Sequence, residues 1–161
     1  LTEDPVVFKY VRNYISRIEI IKEGGRYKLS DTVTFETPLK HHHPSETYGI
    51  NFFTSKYTIS LIVDTRYFPE LLEHYKGDVL IVNVVRYTVD KDTQKWLYHL
   101  SIKDVKEIVM SLKPKVTILN HFGMTMIKAQ PRMVAEQLSK ETGLKIIAAG
   151  DGMKFNLIPV S

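Results

Sequence analysis

The chain has 161 residues, 43% of them apolar and 25% charged, with a net charge of +4 and six histidines. That length and balance fit one domain with its own core and exclude a disordered chain. Because there is no cysteine, disulfides, thiolate metal sites and cysteine nucleophiles are excluded, and any metal must be held by histidine and carboxylate.

In chain order, Val6, Val7, Tyr10, Val11, Tyr14 and Ile15 recur at helical spacing and predict a helix over 5–15. Ile18, Ile20 and Ile21 predict a strand ending at Glu23-Gly24-Gly25. Residues 27–29 and 33–35 read as short strands about a Ser30-Asp31 turn. The polar stretch 41–47 reads as a loop that carries His41, His42 and His43. Residues 49–54 and 57–63 read as a hairpin around Ser55-Lys56, and Asp64 follows directly. A short helix is predicted over 69–75.

The unbroken apolar run Val79-Leu80-Ile81-Val82 marks a strand covered on both faces. Residues 87–97 are polar and irregular. Ser101 with Asp104 three residues on gives a capping-box pattern, Asp standing in for the usual Glu or Gln. Ile102, Val105, Ile108, Val109 and Leu112 form the apolar face of the helix it opens, and Lys113-Pro114 stops it. Residues 116–119 are again a buried-type strand. Pro131 suits the first position of a last helix, with Met133, Val134 and Leu138 inward and Gly143 as its stop. Residues 146–149 and 153–157 read as a closing hairpin about Gly150-Asp151-Gly152. A β-rich first part followed by alternating strand and helix predicts one α/β unit over 1–161, with helices outside the sheet.

Three predicted strands run straight into a metal-ligand residue. The segment 33–40 leads into His41-His42-His43, 59–63 into Asp64-Thr65, and 116–120 into His121-Phe122-Gly123. In an α/β fold, strand ends on one sheet edge open onto one crevice, where ligands gather. A carboxylate directly after a buried strand is costly unless paired or bound to a cation; the alternative for Asp64 is to cap the next turn with Thr65. Gly123 lets the chain turn sharply and aim His121 into the crevice, the alternative being a hydrogen-bonded core histidine. Neighbours on extended backbone point opposite ways, so His41 and His43 are expected to face together with His42 away. His41 directly follows the strand and is the favoured ligand, with His43 next.

His99 precedes the capping box. A helix start attracts anions, so His99 is a candidate to contact a phosphate or carboxylate, or to protonate a leaving group; otherwise it staples the helix. His74 reads as surface or packing, and Trp96 and Tyr98 as core or pocket lining. Gly24-Gly25 and Gly150-Asp151-Gly152 match no nucleotide fingerprint, and no serine elbow is present. Residues 1–5 lack the basic start and apolar stretch of a signal peptide, and no apolar run approaches the roughly 18 residues that cross a bilayer. A cytoplasmic protein with no membrane contact is expected. The positive charge allows an anionic partner, although lysine-rich solvated surfaces are common. Abundant Glu and Lys with scarce Gln lean toward a thermophile.

The ordered set Tyr48-Gly49-Ile50, Ile62-Val63-Asp64-Thr65, Asp78-Val79-Leu80-Ile81-Val82-Asn83, His99-Leu100-Ser101, Asn120-His121-Phe122-Gly123 and Asp151-Gly152-Met153 resembles the metallo-β-lactamase-fold metal-dependent hydrolases. It looks most like uncharacterised archaeal members and, more distantly, ribonuclease Z-like phosphodiesterases. The resemblance implies a four-layer αββα sandwich with a site for one or two ions, usually zinc, though other divalent metals fit. It implies His41 or His43 and His121 as ligands, Asp64 as the bridging carboxylate, and His99 near a scissile phosphate. The family's His-x-His-x-Asp-His motif is absent, since no histidine precedes His41, which implies that the chain corresponds to the C-terminal half of that fold.

The expected function is therefore hydrolysis of an ester, phosphodiester or lactone by a metal-activated hydroxide, with the chain alone inactive or nearly so. The bare sheet face of a half-sandwich is expected to pair with an N-terminal half or with a second copy. Two other readings stand beside this one. The first is a non-catalytic oligomerisation or binding module derived from that fold. The second is a ribonuclease Z-like phosphodiesterase acting on nucleic acid.

Overall fold

The computed structural model describes residues 9–16, 18–88 and 98–157. A 3-10 helix spans Lys9–Tyr14 and precedes seven strands: β1 (Gly25–Lys28), β2 (Thr34–Thr37), β3 (Ile50–Phe53), β4 (Thr58–Ile62), β5 (Val79–Asn83), β6 (Val116–Asn120) and β7 (Ile146–Ala148). They form one sheet in chain order. Pairing is antiparallel from β1 to β4 and parallel from β4 to β7. The antiparallel half is closed by local turn chemistry. Ser30 Oγ accepts the Val33 N–H at 3.1 Å between β1 and β2, and Thr54 Oγ1 accepts the Tyr57 N–H at 2.9 Å between β3 and β4. The parallel half needs crossovers, supplied by α1 (Leu71–His74), α2 (Ile102–Leu112), α3 (Met124–Lys128) and α4 (Pro131–Thr142).

Register assigns each strand residue to a face. Ile62, Val82, Leu119 and Ala148 align across four strands, as do Ser60, Leu80, Thr117 and Ile146 one step earlier. This face carries the main core, where Ile62, Leu80, Val82 and Leu119 meet Leu71, Ile108 and Leu138 of the helices. The opposite face aligns Leu61, Ile81, Ile118 and Ile147. Against it lie Phe155 and Leu157 from the chain after β7, with no helix among the described residues. The predicted two-face burial of β5 holds on both counts.

The capping box forms. Ser101 Oγ accepts from the Asp104 N–H, and the Asp104 carboxylate accepts from the Ser101 N–H at 2.8 Å. Lys113 ends α2 at φ 49, and Gly143 ends α4 at φ 70. Asp78 joins three strands: its carboxylate accepts the Thr58 N–H at 2.9 Å and lies 3.0 Å from Lys115 Nζ. Those contacts, the Thr58 N–H foremost, hold its pKa below the ordinary carboxylate value.

Several expectations change. Residues 18–21 form no strand; Ile18 and Ile20 are exposed, and the segment leads into the turn before β1. The predicted helix over 5–15 is a 3-10 turn where it is described, and residues 1–8 lie outside the described residues. The chain turns at Asp151-Gly152, but 153–157 form no strand. β7 instead pairs in parallel with β6, which buries Ile146 under α4 and sends the following chain across the second face. No described helix is long and apolar enough to cross a membrane.

Candidate metal centre

Parallel pairing puts the C-terminal ends of β4, β5 and β6 on one sheet edge. Asp64 stands two residues past β4, Asn83 ends β5, and His121 directly follows β6. The segment after β5 is pinned on both sides. Val84 N–H donates to the Asn120 carbonyl at 2.8 Å, and Val85 N–H to the Leu100 carbonyl at 3.2 Å. Gly123 N–H donates to the Val85 carbonyl at 3.2 Å. His99 and His121 are thus hung on opposite sides of one short segment, their rings 6.1 Å apart.

Gly123 serves this arrangement differently from expectation. A Cβ there would lie 2.6 Å from both Val85 Cγ1 and the Val85 carbonyl oxygen, so glycine is required by close approach. The left-handed turn belongs to His121 itself, at φ 57. For a residue with a Cβ that conformation costs about 1 kcal/mol or more, and such strain gathers at functional sites.

Asp64 is the common point of the cluster. Its Oδ1 accepts a hydrogen bond from Asn83 Nδ2 at 3.0 Å, and lies 3.6 Å from His121 Nε2 and 3.7 Å from His99 Nδ1. His43, Asp64 and His99 offer ligand atoms that all lie within 4.8 Å of one another. The His43 and His99 rings are 5.4 Å apart. Donors held about 2.0–2.2 Å from a shared ion stand roughly 3–4 Å from each other, so the spacing fits a divalent cation. His99 Nδ1 strengthens that fit, being buried with no hydrogen-bond partner. Burial holds the His99 pKa below its ordinary value, opposed by the Asp64 carboxylate and aided by His43, His121 and Arg86. The neutral imidazole this favours is the form with a free lone pair.

Of the residues expected here, Asp64, His121, His99 and His43 come together. His41 does not. It is 2% exposed and its Nε2 lies 2.8 Å from Tyr75 Oη. Burial pushes its pKa down to about 4. The alternation argument fails because residues 42–45 are bent rather than extended. His43 N–H bonds back to the His41 carbonyl at 3.0 Å, so the two side chains diverge. His42 stacks on Phe68 at 4.0 Å between centroids. His74 is exposed on α1, and Trp96 lies outside the described residues. Tyr98 lines a cavity of about 450 Å³ beside the cluster, with Lys40, His42, His43, Arg66 and Phe68.

Asn83 and Arg66 belong to this region and carry no expected role. The signal for Asn83 was its place at a third strand end on the same edge. The signal for Arg66 was its position two residues past Asp64. The Arg66 guanidinium sits 5.8 Å over the Tyr98 ring, and no carboxylate pairs with it among the described residues.

The single sheet, its helical layer and the histidine–aspartate cluster at the strand ends define a metallo-β-lactamase fold. Among solved structures, the metallo-β-lactamase fold protein YhfI from Bacillus subtilis superposes at TM-score 0.67 and 15% identity, over 83% of this chain and 53% of its own. Igni18, a metallo hydrolase from the hyperthermophilic archaeon Ignicoccus hospitalis, gives 0.61 and 17% identity over 84% of this chain and 60% of its own. A diphosphatase of the PhnP family gives 0.62 and 20% identity over 94% of this chain and 54% of its own. In sequence, the chain is 32% identical over 158 residues to the uncharacterised protein MJ1374 of the archaeon Methanocaldococcus jannaschii, covering 95% of this chain and 56% of that protein. The chain thus spans about half the length of the proteins it matches. No protein-family model matches it.

Proposed function

We propose that this chain is part of a metal-dependent hydrolase that cleaves phosphoesters. The observation that carries the reading is the convergence of His43, His99 and His121 on the Asp64 carboxylate at the C-terminal sheet edge. In this reading His43, His121 and the Asp64 carboxylate would hold the metal. Asn83 holds the Asp64 carboxylate in place. A nitrogen and oxygen donor set of this kind suits zinc. A bound divalent ion would supply Lewis acidity and a lowered pKa for water.

The remaining chemistry belongs to the side chains. His99 would present the N–H of its neutral imidazole to a phosphoryl or leaving oxygen as a hydrogen-bond donor. Arg66, which pairs with no carboxylate among the described residues, would be the contact for an anionic substrate in the adjoining cavity, which Lys40, Glu23 and Glu70 also line. A phosphoester substrate agrees with the likeness to a diphosphatase of the PhnP family.

The test is hydrolysis of bis(p-nitrophenyl) phosphate by the intact protein, with and without zinc. Activity that requires zinc supports the reading; zinc-independent activity, or none with zinc bound, contradicts it. His99→Ala is expected to keep its metal and lose about 10²-fold or more in kcat. Loss of the metal from that variant would make His99 a ligand instead.

A further inference from the structure

The histidine left out of the centre is fixed more firmly than those within it. His41 is 2% exposed and Tyr75 0%. Their bond joins the start of the histidine loop to the residue that ends α1. Gly49 leaves the space for it: a Cβ there would lie 2.2 Å from Tyr75 Oη and 2.6 Å from His41 Nε2. The other ring nitrogen, Nδ1, is buried with no hydrogen-bond partner.

Two backbone links run alongside. His42 N–H donates to Thr65 Oγ1 at 3.1 Å, and Arg66 N–H donates to the His42 carbonyl at 3.2 Å. The loop that carries His43 is therefore tied to the loop that carries Asp64 at successive residues. A tyrosine hydroxyl that donates to Nε2 selects the tautomer with its proton on Nδ1.

We propose that His41 and Tyr75 are a positioning pair: they fix the Val63-Asp64 backbone relative to the His43 loop, and so set the spacing of the metal ligands without touching the ion. The pair acts through Asp64 and His43, as outer partners of metal ligands do, and removing such partners typically weakens metal binding about 10–100-fold. The metal part of this inference rests on the hydrolase reading above; the backbone part does not.

The experiment compares the intact protein with Tyr75→Phe and His41→Gln. Tyr75→Phe keeps the buried ring and deletes only the hydroxyl, so it decides the matter even where His41→Gln does not fold. In zinc-free protein, nitrogen NMR is expected to show the His41 proton on Nδ1, and Tyr75→Phe to shift the backbone amide resonances of Asp64 and Thr65. With zinc, competition against a chelator is expected to show about tenfold weaker binding in a variant that remains folded. Unmoved Asp64 and Thr65 amides would overturn the pair whether or not zinc binds. Wild-type zinc affinity in a folded Tyr75→Phe variant would overturn its role at the centre. A wild-type protein that binds no zinc would remove the hydrolase reading, and the amide shifts would still decide the pair.

Discussion

A half-buried carboxylate with three imidazoles around it and one amide hydrogen bond is a site built for positive charge. Each partner of Asp64 can donate to it or share a cation with it, and none competes as an anion. Arg66 places one guanidinium at the adjoining cavity, which Glu23 and Glu70 also line. Arg66→Gln should therefore raise KM for an anionic phosphodiester by about tenfold with little change in kcat, because a charge-assisted hydrogen bond made equally in ground and transition states is lost. Steady-state kinetics check this; an equal fall in kcat at unchanged KM would place Arg66 in the chemical step. Asp64 and His121 were legible as ligand types delivered by strand ends, and His99 as a polar residue set at a helix start. The choice of His43 over His41 was not, because it depends on a bend and on Tyr75, which lies 34 residues away in sequence.

At the scale of elements, local sequence rules account for the helices and the antiparallel hairpins. Ser101→Ala removes one capping hydrogen bond and should cost about 1 kcal/mol of unfolding free energy, measured by urea titration. The tie that Asp78 makes across β4, β5 and β6 is pH-dependent. Its pKa is depressed in the folded state, so its contribution is complete above the ordinary value of about 3.9 and is lost as pH falls through the lower folded value. Asp78→Asn should therefore destabilise the protein by about 1 kcal/mol at neutral pH, with the difference closing at strongly acid pH. A difference unchanged down to that range would mean that Asp78 acts through shape alone. The predicted hairpin at 153–157 failed for a non-local reason. β6 offers β7 a parallel edge that buries Ile146, a reward a short local hairpin lacks.

For the whole molecule, the decisive feature is asymmetry. Helices cover one face of the sheet, while the face bearing Leu61, Ile81, Ile118 and Ile147 has only the chain near Phe155 and Leu157 against it among the described residues. Ile118 is buried there and Leu61, Ile81 and Ile147 are half-buried, a thinner cover than the helices give the other face. The 161-residue chain expressed alone should self-associate in light scattering, and Ile81→Lys should reduce that association; a stable monomer at high concentration would contradict this. The α/β order and the strand-end site were legible from alternating buried runs and their terminal residues. The one-sided placement of the helices could not be read from the strands, since nothing within them distinguishes a face covered by helices from one covered by extended chain. The central claim is that Asp64 organises a metal centre. The most direct measurement is the zinc content and zinc affinity of the intact protein beside its Asp64→Ala variant: stoichiometric zinc in the former and loss of about 10²-fold or more in affinity in the latter are expected, while no zinc in either, or equal zinc in both, would contradict the account.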